Sequence, residues 1–272
     1  MPYSLKGRNV LVTGGSRGLG EVICLKFAQE GCNVAINYNA SEERAKGVAE
    51  KVKGFGVKVS LIQGDMGKEE ECMKVVNQTI KDLGGLDVMI SNAGYTRFMD
   101  FADLHAPTPY DWDTCWAVNV KAQSYLLREA LPTFNSNPEG GCFIITSSIA
   151  GIKIGGSCLP YNVTKTAQLQ LMKCLAATQG PKVRINAVLP GWLPTEWGME
   201  YSAEQVADMN KNAWLRKPTD LDDCAQAYVD IAKNASMTGQ KIQIRDSEEM
   251  FEETVEMSAG SSLHGPIISE KI

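Results

Sequence analysis

The segment Thr13-Gly14-Gly15-Ser16-Arg17-Gly18-Leu19-Gly20 constrains this chain more than any other. It follows an apolar run of strand length, Asn9-Val10-Leu11-Val12, and opens a stretch in which Val22, Ile23, Leu25 and Phe27 recur at helical spacing. A strand that turns through glycines straight into a helix is the entry to a βαβ unit. Glycine at 14, 18 and 20 lets the backbone turn tightly and approach a pyrophosphate. The helix that follows offers free N–H groups and the positive end of its dipole.

The rest of the chain continues the pattern. Apolar runs near 8–13, 33–38, 57–63, 86–91, 141–147, 182–189 and 240–245 alternate with helical patterns near 18–30, 41–54, 68–83, 111–134, 160–178 and 219–233. This predicts an α/β fold, a Rossmann-type doubly wound parallel sheet of about seven strands in a single domain. Right-handed crossovers bring the carboxyl ends of the strands to one edge, where a ligand crevice is expected. Residues 1–256 are assigned to this domain and 257–272 to a flexible C-terminal tail. Two longer segments interrupt the alternation, 95–110 and 192–217. The second is rich in Trp192, Trp197, Met199, Tyr201 and Trp214 and is expected to form a substrate lid.

Composition narrows the partners. A net charge of -5 and a pI near 5.3 argue against nucleic acid or an anionic membrane surface. No run approaches membrane-span length, and the N-terminus has no apolar or Arg-rich leader, so a cytoplasmic protein is expected. Eight scattered cysteines without a C-x-x-C pair read as buried thiols, and two histidines leave little material for a metal site.

Further along stand Asp65, Asn92-Ala93-Gly94, Asn119, Ser148, Tyr161-Asn162-Val163-Thr164-Lys165, and Pro190-Gly191 with Thr195. Tyr161 and Lys165, four apart on a helix, share one face, so an ammonium can favour the phenolate. With the glycine segment, this set resembles the short-chain dehydrogenase/reductase family from residue 5 to about 245. The resemblance implies a hydride-transfer enzyme in which Tyr161 is the general acid in reduction and the base in oxidation. It also implies that Ser148 stabilises charge on the substrate oxygen, and that Asn119 kinks its helix and holds a water near Lys165.

Cofactor choice depends on the end of the second strand, where an acid would bind the ribose hydroxyls of NAD. Here the strand ends Ile36-Asn37-Tyr38-Asn39, and Glu42 and Glu43 fall in the next helix. Arg17 can meet a 2′-phosphate, and Asn37, Tyr38 and Ser41 are neutral donors, so NADPH/NADP+ is expected. Gly14, Ser16, Gly18, Leu19 and Gly20 belong to the same predicted cofactor site. By resemblance Asp65 and Met66 meet the adenine, Asn92, Ala93 and Gly94 line the adenosine side, and Tyr161, Lys165 and Thr195 lie at the nicotinamide end.

The resulting expectation is an NADPH-dependent reductase of a ketone, reversible as an alcohol dehydrogenase. Tyr95, Phe98, Trp192, Trp197, Met199 and Trp214 suggest an apolar or aromatic small-molecule substrate. The alternatives are a reductase of an imine or conjugated double bond, and a low-turnover cofactor-binding regulator or scaffold. The sequence departs from the family after Thr238-Gly239-Gln240, where an acidic segment, 248–253, replaces the usual glycines. A homo-oligomer, dimer or tetramer, is expected.

Overall fold

The computed structural model describes residues 3–245; the predicted tail at 257–272 and the acidic segment lie outside them. Seven parallel strands form one sheet: β1 (Asn9–Val12), β2 (Asn33–Tyr38), β3 (Val59–Gln63), β4 (Val88–Ser91), β5 (Gly141–Thr146), β6 (Val183–Pro190) and β7 (Lys241–Ile244). Their spatial order is β3-β2-β1-β4-β5-β6-β7, so the order reverses between β1 and β4. Every pairing is parallel, with Val10 opposite both Val34 and Val88. The reversal opens a crevice above the carboxyl ends of β1 and β4.

Side-chain alternation explains why the sheet is covered on both faces. Val10 and Val12 point to one face and Leu11 to the other, and all three are fully buried. Ile23, Phe27 and Ala28 of α1 (Gly18–Gln29) meet the first face, with Val48, Ala49 and Val52 of α2 (Glu42–Lys53). Tyr228, Val229 and Ile231 of α8 (Leu221–Lys233) complete it. The second face receives Val75 and Val76 of α3 (Glu69–Leu83), Leu126, Leu127 and Phe134 of α5 (Ala122–Ser136), and Met172 of α6 (Leu159–Gln179). Strands buried on both sides must be apolar nearly throughout, as β1, β4 and β5 are, whereas the edge strand β7 exposes Lys241 and Gln243.

The single helix expected at 111–134 is instead compound. A helix α4 (Pro109–Trp116) starts on a capping box between Thr108 and Asp111 and runs into a π-helical turn, Ala117–Lys121, before α5. Helical periodicity hides such a turn because one inserted residue barely disturbs the apolar stripe. The segment 192–217 contains a short 3₁₀ turn, Gly198–Glu200, and one helix, α7 (Ala203–Asn212), between loops. Seven of the eight cysteines are buried and all eight are free. Among the described residues no helix is long and apolar enough to cross a membrane, and no cluster could hold a metal ion.

Candidate active site

The glycine turn is stitched to its neighbours by buried polar groups. Asn37 at the end of β2 accepts the Gly14 N–H on its side-chain oxygen at 3.2 Å, and its carbonyl accepts the Gly15 N–H at 2.9 Å. The Asn37 amide nitrogen donates to the carbonyls of Ile62 and Gly64 at 3.2 and 3.0 Å. From β4, the N–H groups of Asn92 and Ala93 donate to Thr13 Oγ1 at 2.9 and 3.0 Å, and the Asn92 amide donates to the Thr13 carbonyl at 3.1 Å. Gly14 has φ +63°, and a Cβ on Gly20 would run into the Gly14 carbonyl oxygen. The glycines therefore serve close packing of the turn on itself as well as access from the crevice.

These bonds correct one expected contact, that of Asn37, and place the other expected residues. Asn37 is buried and its amide is committed to the turn and to β3, so it is not an outward donor. Met66 sends its side chain into the core of the second face, and Leu19 belongs to the core of the first. Tyr38 and Ser16 are also buried. Asp65 accepts the Gly67 N–H at 2.8 Å, while Ser41 caps α2 without a side-chain bond. Sequence spacing places a residue near a crevice, but these bonds decide whether its side chain is free to serve it.

Across the crevice, β5 delivers Thr146, Ser147 and Ser148. Ser148 starts a 3₁₀ turn, Ile149–Gly151; its Oγ accepts the Ala150 N–H at 3.1 Å, and its side chain lies beside Tyr161. Ser147 turns the other way, donating to the Lys165 carbonyl at 3.3 Å. Lys165 is buried; its Nζ donates to the Thr146 carbonyl at 2.9 Å and to Gln168 Oε1 at 3.4 Å, and lies 5.4 Å from the Tyr161 ring centroid. Two residues that the sequence reading passed over complete this wall. Asn162 clamps α6 to the loop after Ser148 by donating to the carbonyls of Ala150, Lys153 and Gly155. Gln168 receives the ammonium. The signal for both was their position, one inside the Tyr161–Lys165 motif and one a helical turn beyond it.

Burial sets the titration of this pair. It pushes the Tyr161 phenol well above its ordinary value, with the neighbouring Ser148 side chain pulling the other way. It lowers the Lys165 ammonium to about 7. The expectation that Lys165 drives Tyr161 toward phenolate is therefore not met by these groups alone, because desolvation disfavours both charged forms. Asn119 sits in the π-helical turn, where the helix was expected to kink; its side-chain oxygen accepts the Tyr95 N–H at 2.9 Å and its amide donates to the Tyr95 carbonyl at 3.0 Å and Thr164 Oγ1 at 3.2 Å. It positions the loop after β4 against α6 and has no bond to Lys165.

The two inserted segments meet over this wall. Phe98 and Tyr201 pack edge to face at 4.8 Å, and the Trp197 ring stands 6.0 Å from that of Tyr161. Trp214 and Met199 are 66% and 68% exposed. Cys158, at the start of α6, lies beside Thr96 at 3.4 Å; hydrogen bonds from Cys115 and then Thr96 lower its thiol to about 6.

The short chain dehydrogenase family model matches residues 8–206. The chain belongs to that family. It is similar to a versicolorin reductase of Emericella nidulans, 33% identical over 225 residues that make up 82% of this chain and 81% of the relative. A short chain dehydrogenase of Burkholderia cenocepacia, solved in complex with NADP, superposes with a TM-score of 0.82 at 28% identity, covering 89% of this chain and 98% of that one. An NADPH-dependent 3-quinuclidinone reductase of Rhodotorula rubra gives 0.80 at 29% identity, covering 89% and 91%. The chain is thus a short-chain oxidoreductase.

The residues present fit a nicotinamide dinucleotide. No side chain caps α1 at Arg17, so the N–H groups of its first turn keep their capacity for an anion. Gly18 has φ +55°, and a Cβ there would lie 3.5 Å from the Thr195 methyl. Thr195 accepts the Gly198 N–H on its hydroxyl at 3.3 Å. Glu42 and Glu43 pair with Lys46 on their own helix, which leaves no acid at the end of β2.

Proposed function

We propose that this family member is an NADPH-dependent reductase of an apolar or aromatic ketone, able to run backward as an alcohol dehydrogenase. The observation that carries the reading is the grouping of Ser148, Tyr161 and Lys165 on one side of the crevice, with Lys165 Nζ 5.4 Å from the Tyr161 ring centroid and bonded to the Thr146 carbonyl, facing a glycine turn. The bound dinucleotide supplies the hydride. Tyr161, held protonated by burial, gives its proton to the substrate oxygen. Ser148 hydrogen-bonds that oxygen as negative charge develops. Protonated Lys165, 5.4 Å from the ring, stabilises the phenolate left as the proton leaves. Asn119 and Asn162 hold the loops that aim these groups.

Preference for NADPH is supported by the absence of an acid at the end of β2 and by Arg17 and Arg44 beside the turn. The name of one similar protein, an NADPH-dependent 3-quinuclidinone reductase, agrees with it. Phe98, Tyr201 and Trp197 supply the apolar surface for substrate. Consumption of NADPH should be followed with aromatic ketones, imines and enones. Turnover of ketones with retention of the reverse alcohol oxidation supports the proposal; turnover confined to imines or enones, or none, rejects it.

A further inference from the structure

Three consecutive lid residues lie along the crevice and touch it at separate points. The Thr195 methyl borders Gly18. The Trp197 ring edge lies 3.3 Å from where a Cβ on Gly94 would stand and faces the Tyr161 ring. Between them Glu196 reaches two cations on different elements. Arg17 Nη1, at the start of α1, is 3.0 Å from Glu196 Oε2, and Arg44 Nη1, in the first turn of α2, is 2.6 Å from each carboxylate oxygen. Two guanidiniums that converge repel one another unless an anion lies between them, and here the lid provides it.

A carboxylate held by two guanidiniums is a stand-in for any anion that matches that fork, and phosphate is its best match. We propose that Arg17 and Arg44 together form the site that distinguishes a 2′-phosphorylated dinucleotide, and that Glu196 is its internal competitor, so that the lid segment Thr195–Trp197 covers the crevice until the 2′-phosphate displaces it. Arg44 is the specificity residue the sequence concealed, because it lies inside an ordinary charged helix. The inference rests on the NADPH reading above. It adds that phosphate recognition and lid release are one event, which an unphosphorylated dinucleotide triggers poorly.

The contact is built to be displaced. The Arg17, Arg44 and Glu196 side chains are 61%, 50% and 60% exposed. Ion pairs of this exposure are weak, so removing the competitor should tighten binding by about two- to tenfold. The Trp197 ring stands 6.0 Å from that of Tyr161, so the same displacement also moves the ring that borders the phenol.

The test is the dissociation constant of the binary complex with NADPH and with NADH, measured by calorimetry on the wild type, Glu196→Gln, Arg44→Ala and the double variant. Glu196→Gln is isosteric and exposed, so the fold is retained. Expected are a two- to tenfold tightening for NADPH in Glu196→Gln with little change for NADH, a loss for NADPH in Arg44→Ala, and a smaller benefit of Glu196→Gln once Arg44 is absent. The tightening should fade at high salt. Hydrogen exchange of residues 193–200 should rise on adding NADPH more than on adding NADH. A wild type that prefers NADPH while Glu196→Gln binds it no better overturns this proposal alone. A wild type that binds NADH as tightly as NADPH overturns the cofactor reading and this proposal with it.

Discussion

The crevice is bordered by a fixed part and by a lid, and they are held in different ways. The fixed wall comprises both sides of the crevice, the glycine turn and, opposite it, the end of β5 with α6; its polar side chains Asn37, Asn119 and Lys165 are buried, each with protein partners. The lid, residues 192–217, is held by exposed ion pairs of Glu196 and by aromatic edges, and it leaves Met199, Trp214 and Leu215 in solvent. Buried hydrogen bonds are costly to break because each leaves a desolvated group behind, whereas an exposed ion pair exchanges readily with water. The first arrangement suits groups that must be aimed before a ligand arrives, and the second a segment that must move.

The largest effect should come from the fixed wall. Tyr161→Phe removes the proton donor with little change in packing and should lower kcat by about 10²–10⁴-fold, the usual contribution of a positioned acid, while NADPH affinity stays within a few fold. Steady-state kinetics with a binding titration check this, and near wild-type kcat on a ketone would place the proton elsewhere.

Next in size is the turn itself. Asn37→Ala leaves the Gly14 N–H and the Ile62 and Gly64 carbonyls without that partner and should cost about 2–5 kcal/mol, from about 1–3 kcal/mol per unmet buried group. Denaturant unfolding measures it. A loss no larger than for a surface substitution would mean that the fixed wall is not preorganised by this residue.

A smaller effect separates the fixed wall from the lid by pH. The Lys165 ammonium is lowered from 10.5 to about 7 by burial. Between those values the unfolded chain holds a proton that the folded chain has released, so this group makes stability rise with pH across that window, and its burial costs most below pH 7. Lys165→Met should flatten the rise in denaturation midpoint from about pH 7 to pH 10, whereas Glu196→Gln should leave it unchanged. Equal slopes in wild type and Lys165→Met would contradict the burial of a lysine that titrates near neutrality.

The smallest effect should be on the lid's outer surface. Trp214→Ala should change stability by no more than about 0.5 kcal/mol and leave KM unaltered, because the ring is exposed. A rise in KM would bring Trp214 into the substrate site.

Much of this protein followed from the sequence alone. Apolar runs of strand length that alternate with helical stripes can bury both faces only as a parallel sheet covered by helices, so strand number and location were legible in the sequence, and β2 has the expected bounds, Asn33–Tyr38. The glycine turn, Ser148, Tyr161 and Lys165 were legible because their spacing is local to single elements and their order is shared with a known family. What the tertiary structure decided depends on contacts between residues distant in sequence. Asn37 turned from an outward donor into an internal brace because β3 and the glycine turn surround it. The expected charge balance of Tyr161 and Lys165 changed because burial acts on both, and burial is not written in a four-residue spacing. Arg17, Arg44 and Glu196 come together across 152 to 179 residues of chain, a juxtaposition that only the folded sheet creates.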